Sequence, residues 1–404
     1  MNIVLSGPIG LGSLSDEIVL AGVLKPLLAA KHHVTVLSAD AAATAEMHAG
    51  IEAVHLPTPT SVLSTPAVWK ALDSAHFFGL CGAGMISDKG KTPARAWLGQ
   101  LESARQMKVT TAVIGAGAIE IENRIEQVRV QRLLHHFADG VSVRDDASKA
   151  ALVECGLNAN RVSSIGDPTL ALFDQNAFVV PPDVARVPGA PETRPTSTPF
   201  RLKAGLRTRV AFFFTDGIPM RQTFGPEPTH APAPLASGLN AVLKALSAEK
   251  IDALVFHDAS RQNVKLAESI ADGAENATLL TTETPITKLR AEMASCSAAL
   301  TDTLHGLLFA AVHGVPAVYL AAQTERPALI EKLGLNAFVI EATAGAFESE
   351  RALELVRNAL ANSDALRAAM TVSLSALARK EAQNARMVER LVPKRDRHAK
   401  GTAE

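Results

Sequence analysis

Tyrosine occurs once and tryptophan twice, and aromatic residues make up only 4% of the 404-residue chain. A surface that stacks unpaired bases needs more rings than this, which argues against single-stranded nucleic acid as a partner. Net charge is also lacking. Forty Lys and Arg stand against 41 Asp and Glu, a balance of −1. No basic excess draws the chain to nucleic acid in general, and there is no acidic tail. The three cysteines, Cys81, Cys155 and Cys296, are odd in number, widely spaced and outside any Cys-x-x-Cys pattern. That argues against a disulfide framework and a zinc site, and fits small buried residues in a reducing compartment. No run of about 18 apolar residues occurs, so no membrane span is expected. Met1 to Leu5 has no basic signal-peptide start and leads straight into a glycine loop, so a cytoplasmic location is expected.

Several catalytic signatures are missing as well. The chain has no HExxH, Walker A, Gly-x-Ser-x-Gly or kinase pattern. Its twelve histidines are scattered, and the adjacent pairs His32-His33 and His135-His136 point in different directions.

What is present is a repeated order of apolar run, glycine loop and helix. Asn2 to Leu5 stops at Gly7, a helical pattern covers Asp16 to Ala30, and His33 to Ser38 is β-rich. That is a βαβ unit, which implies a parallel sheet. Pro26 is expected to end or kink the helix. Further strand runs end at Gly82 and Gly84, at Gly115 and Gly117, and at Gly166-Asp167-Pro168. Strand ends are where open α/β sheets bind ligands. The reading is α/β: an N-terminal lobe over 1–180, a proline-rich linker over 181–206, and a second α/β lobe over 207–345. C-terminal helices follow over 346–392, nearly continuous from Glu348 to Leu391, and then a flexible tail over 393–404. The apolar stripe through Leu353, Val356, Leu360, Leu366, Met370, Leu374 and Leu377 is too irregular for a coiled coil.

Four segments could carry chemistry. The loop Gly7 to Glu17 holds Gly10, Gly12 and Asp16 before a helix, and glycines let a backbone approach a ligand. Its spacing is not GxGxxG, and helix capping accounts for Asp16 and Glu17 equally well. The loop at Gly82 and Gly84 suits close ligand approach or a tight turn. At the third, a short strand delivers Arg144, a two-pronged ligand for a carboxylate or phosphate, or else an ion-pair partner of Asp145 or Asp146. The fourth, Thr301 to Gly306, places His305 at a helix start, where it could exchange protons near neutrality or serve structure alone.

In order and spacing, over roughly Met1 to Leu335, these segments resemble the polysaccharide pyruvyl transferase family. The opening is similar to its glycine-rich start, with Ser13 and Ser15 replacing asparagine and glycine while Asp16 and Glu17 remain. Gly82, Gly84 and Asp88 resemble its triple-glycine turn with a downstream Asp, and Gly115-Ala116-Gly117 its Gly-x-Gly strand end. Val143-Arg144-Asp145 followed by Ser148 resembles its Val-Arg-Asp-x-x-Ser motif. Gly166-Asp167-Pro168 matches its Asp-Pro element, and Thr301 to Pro316 its Arg-x-His-Gly helix. There Thr303 stands in place of arginine, which removes a cation and bears on substrate and activity.

The resemblance implies two Rossmann-like lobes of glycosyltransferase-B type around a cleft. It implies phosphoenolpyruvate as donor, a sugar acceptor and a pyruvate ketal as product, with no metal or other cofactor. The family's catalytic pair carries over to His305 and Arg144. Gly10, Gly12, Asp16, Gly82, Gly84, Gly117, Asp167, Arg221, His257 and Gly306 are the expected substrate-binding residues, with Arg261 a further anion ligand. A nucleotide-sugar glycosyltransferase of the same fold, and a non-catalytic sugar-binding relative, are the alternatives.

Overall fold

The computed structural model describes residues 1–88, 92–118, 121–174, 208–214, 233–257, 276–322, 328–342 and 347–392. The first strands and helices are β1 (Asn2–Ser6), α1 (Leu14–Ala29), β2 (His33–Ser38), α2 (Ala41–Met47), β3 (Glu52–His55), α3 (Pro66–Asp73) and β4 (Phe77–Leu80). Next come α4 (Ala94–Gln106), β5 (Thr110–Ala116), α5 (Arg124–Phe137), β6 (Gly140–Val143), α6 (Asp146–Glu154) and β7 (Val162–Ser164). The strands form a seven-stranded sheet in the order β3-β2-β1-β4-β5-β6-β7, and every neighbouring pair is parallel. Its central strands read as unbroken apolar runs because both faces are covered by helices.

A second sheet follows, built from β8 (Arg209–Phe214), α7 (Ala233–Ala248), β9 (Asp252–His257), β10 (Ala277–Leu280), α8 (Ile286–Ala294), β11 (Ala298–Thr301), α9 (Leu304–Val312), β12 (Ala317–Ala322), α10 (Ala328–Lys332) and β13 (Val339–Ala342). Its order is β10-β9-β8-β11-β12-β13, again parallel throughout. Phe213, Phe256 and Phe309 pack ring to ring at its centre. The two sheets are separate, and the proline-rich segment expected between them lies outside the described residues.

In each sheet the strand order reverses once, between β1 and β4 in the first and between β8 and β11 in the second. Chain connections leave on opposite faces there and open a crevice at the carboxyl ends of the strands. The loops after β1 and β4 are the two glycine loops, and the loop after β11 leads to His305.

Helix α1 joins the lobes. It is apolar almost all round, which suits a helix buried on every side. Leu14, Ile18 and Ala21 belong to the core that includes Phe212 and Phe213, while Leu20, Val23, Leu24 and Leu27 pack beneath the first sheet. Of the two expectations for Pro26, the helix end is corrected: Pro26 sits inside α1, which continues to Ala29. Gly22 lets α1 press on the turn after β7, since a Cβ there would lie 2.0 Å from the Pro168 carbonyl oxygen.

The C-terminal helices expected over 346–392 are present and nearly continuous. They are α11 (Ser349–Ala361), α12 (Ser363–Glu381) and α13 (Gln383–Leu391), interrupted at Asn362 and Ala382. Leu355, Val356, Leu366, Met370 and Leu374 bury against the second lobe, and Met387 and Val388 against the first. The chain therefore returns to the lobe where it began. No helix among the described residues is long and apolar enough to cross a membrane.

Candidate functional site

Strand β11 is fully buried and ends at Thr301. Thr303 then caps α9, its hydroxyl accepting the Gly306 N–H at 2.8 Å. Gly306 is required by packing, because a Cβ would lie 2.2 Å from Thr301 Oγ1 and 2.8 Å from Phe213 Cδ1. With the first turn held this close, His305 faces inward and is only 5% exposed. Its Nε2 lies 3.1 Å from Asp167 Oδ2, 138 residues earlier in the chain and in the other lobe.

Asp167 starts the short 3₁₀ turn Pro168–Leu172 and accepts the Thr169 N–H through Oδ1 at 2.9 Å. Burial pushes its carboxyl group up, but the charge and hydrogen bond of His305, the bond from Thr169 and the charge of Arg144 outweigh it. The net shift is below the ordinary carboxylate value. An ionised carboxylate can only accept, so the imidazole Nε2 must carry the proton. Nδ1 is then the basic nitrogen, and it makes no hydrogen bond among the described residues.

Arg144 leaves the end of β6. Its Nε donates to Asp145 Oδ2 at 3.0 Å and its Nη1 to the Ala83 carbonyl at 2.9 Å. The ion pair with Asp145 is therefore present, and it leaves Nη2 without a hydrogen bond among the described residues. Asp145 Oδ1 caps α6 by accepting the Ser148 N–H at 2.7 Å, and Ser148 Oγ accepts the Ala118 N–H at 3.1 Å. Gly117 clears the path of the guanidinium: a Cβ there would meet the Ala83 oxygen at 2.2 Å and Arg144 Nη1 at 2.9 Å.

The two glycine loops touch. Ser13 caps α1 by accepting the Asp16 N–H, and Asp16, in the first turn, accepts the Ala83 N–H through Oδ1 at 2.8 Å and so fastens the first loop to the second. Gly82 packs on Pro8, where a Cβ would come within 2.6 Å of Cδ. Gly10, at φ 72°, gives its N–H to Glu17 Oε1 at 2.8 Å. That amide is committed within the protein. The other Glu17 oxygen meets His48 Nε2 at 2.8 Å, and both side chains are almost fully buried. Gly12 and Gly84 are half-buried at the rim. His257 ends β9 beside Phe214 and is buried. Arg221 and Arg261 lie outside the described residues.

Two further polar residues reach the site from the C-terminal helices and have no counterpart in the sequence reading. The Nδ2 of Asn384 donates to the Gly166 carbonyl at 3.2 Å and to Glu381 Oε1 at 3.3 Å, and its Oδ1 accepts from Ser142 Oγ at 2.6 Å.

A profile of the family described as polysaccharide pyruvyl transferase matches residues 79–324, more than half of the chain. The chain belongs to the polysaccharide pyruvyl transferase family. It is a transferase by that membership, and the matched span contains Arg144, Asp167 and His305. The fold is of glycosyltransferase-B type. Anabaena Alr3699/HepE in complex with UDP-glucose is 16% identical, with a TM-score of 0.55 over 96% of this chain and 99% of that one. A putative UDP-N-acetylglucosamine 2-epimerase from Listeria monocytogenes is 14% identical, with a TM-score of 0.53 over 91% and 90% of the two chains. No curated protein matches the chain.

Within this pyruvyl transferase frame, Thr303 has a structural explanation. Its hydroxyl does the capping that sets the first turn of α9, a bond arginine cannot make by the same route.

Proposed function

We propose that the protein transfers the pyruvyl group of phosphoenolpyruvate to two hydroxyls of a sugar, in a polysaccharide or its precursor, and so closes a pyruvate ketal. The observation that carries this reading is the buried contact between Asp167 and His305. It joins two separate family motifs, from the two lobes, into one proton-transfer unit.

Arg144 holds the carboxylate or phosphate of the donor through its remaining N–H groups, as a planar guanidinium can. Gly12, Gly84 and the neighbouring loop amides supply further contacts. His305, its proton on Nε2 fixed by Asp167, works through Nδ1. In the first step a sugar hydroxyl oxygen bonds to C2, the C2–C3 π bond takes a proton at C3, and the hydroxyl proton is lost to the base. In the second, the C2–O bond to phosphate breaks and a second hydroxyl oxygen takes its place, its proton leaving with the phosphate. Two hydroxyl protons are released, one balancing the new C3–H bond and one the phosphate. Stabilising the charge that develops at the carboxylate and phosphate is the role of Arg144.

The test is phosphate release from phosphoenolpyruvate across a panel of sugar acceptors. Acceptor-dependent release supports the reading. A second reading, a nucleotide-sugar donor, is suggested by the HepE complex with UDP-glucose. Thermal stabilisation by UDP-glucose but not by phosphoenolpyruvate would favour it, and sugar binding without phosphate release would favour a non-catalytic relative.

A further inference from the structure

Asn384 and Glu381 stand 242 and 239 residues beyond Ser142 in the chain, yet they lie beneath the candidate site. Asn384 is 2% exposed and Glu381 3%. Ser142, which donates to Asn384, is two residues before Arg144 on β6, and its oxygen also accepts the Gly115 N–H at 2.9 Å. Gly166, whose carbonyl receives the Asn384 N–H, immediately precedes Asp167. The end of α12 packs on that glycine, where a Cβ would lie 3.4 Å from Glu381 Cβ. One carboxamide therefore spans the strand that carries Arg144 and the turn that carries Asp167.

We propose that Asn384 and Glu381 are positioning residues of the site, Asn384 by fixing the Arg144 strand against the Asp167 turn and Glu381 by setting the charge beside Asp167. Their catalytic meaning rests on the pyruvyl-transfer reading, whereas their coupling to His305 and Arg144 does not.

The groups facing Glu381 are Asn384 on α13, Asp167 at the 3₁₀ turn and Lys25 on α1. Lys25 in turn faces Arg290 and Asp174. Burial pushes the Glu381 carboxyl up, the Asn384 bond pulls it down, Asp167 raises it and Lys25 lowers it, leaving it at about 8. Glu381 therefore holds its proton far more tightly than an ordinary carboxylic acid, whereas Asp167 holds its own less tightly. Above about pH 8 a second negative charge appears next to the Asp167–His305 pair.

The experiment is a pH titration of the His305 imidazole by nitrogen NMR, with the signal assigned through its loss in His305→Ala. The wild type should show an inflection near pH 8. Glu381→Gln, an isosteric change that cannot ionise, should abolish it. An inflection near pH 8 that is the same in Glu381→Gln as in the wild type, or that is absent from the wild type, overturns the role of Glu381, whereas an inflection from the imidazole's own ionisation is common to both proteins. For Asn384, the variants are Asn384→Ala and the shape-preserving Asn384→Asp. Both should displace the Arg144 Nε and His305 signals and lower kcat by about 10²-fold per folded molecule, as a small misplacement of reacting groups does. Unmoved signals, or a lowered Tm with unchanged kcat, overturn it. If phosphoenolpyruvate is not turned over at all, the pyruvyl-transfer reading fails while the titration and the signals still decide this one.

Discussion

His305 and Asp167, 138 residues apart, meet at 3.1 Å where the two lobes close on each other, and both side chains are almost fully buried. A carboxylate in that position costs desolvation energy that only a well-placed partner offsets. Each residue is the other's partner, so changing either one alters both charge and tautomer.

Asp167→Asn should therefore keep the shape of the turn and lose the control of His305. A carboxamide can present its N–H to Nε2 and so invert the tautomer. We expect kcat for phosphate release to fall by roughly 10²–10⁴, the usual worth of a positioned acid or base. Steady-state kinetics with phosphoenolpyruvate decide it, and kcat within threefold of wild type would count against the pair.

Gly117→Ala tests the path of Arg144. The added methyl would overlap the Ala83 oxygen and crowd the guanidinium. Overpacking of this kind costs about 1–3 kcal/mol. The KM for phosphoenolpyruvate should rise about tenfold, which corresponds to about 1.4 kcal/mol of lost contact. Urea denaturation and initial rates read the two effects separately.

Glu17 anchors the first glycine loop through Gly10 and His48. Glu17→Ala leaves the half-buried Gly10 N–H and the buried His48 imidazole without their acceptor, and should cost roughly 1–3 kcal/mol for each group left unpaired. A chemical-denaturation midpoint indistinguishable from wild type would show that the loop does not depend on this contact.

Much of this was legible in the sequence. Strands ending in glycine were visible because parallel strands buried on both faces are uniformly apolar, and their connections need tight turns. Arg144 and His305 were visible as polar residues at strand ends. The stretch from Ala41 to Asp73 was not. Its edge strand Glu52–His55 is half-exposed and mixed in character, so neither periodicity stands out. The breaks at Asn362 and Ala382 were hidden too, since neither residue is a glycine or proline. Glu381 and Asn384 look like solvent-facing positions of a charged helix, and only the return of α13 to the first lobe buries them. Asp167 was named for its motif, but a sequence cannot show which residue of a distant lobe comes to lie against it.

Glu381 also makes stability depend on pH in a definite direction. Its folded value, about 8, is raised from 4.5, so the native state holds a proton that the unfolded chain releases. The resulting stabilisation is complete below about pH 4.5 and declines as pH rises through about 8. Glu381→Gln removes that decline. The stability of wild type relative to the variant should fall across this window and level off above it. Denaturation curves at several pH values, showing a constant difference instead, would contradict the assignment.

Under the proposed function His305 transfers protons in a reaction that consumes phosphoenolpyruvate. The most direct measurement follows acceptor-dependent phosphate release and the methyl signal of the pyruvate ketal together, in wild type and in His305→Ala. The account predicts one ketal per phosphate in the wild type and a loss of roughly 10²–10⁴ in rate in the variant. Equal rates in the two proteins, or phosphate released without ketal, would contradict it.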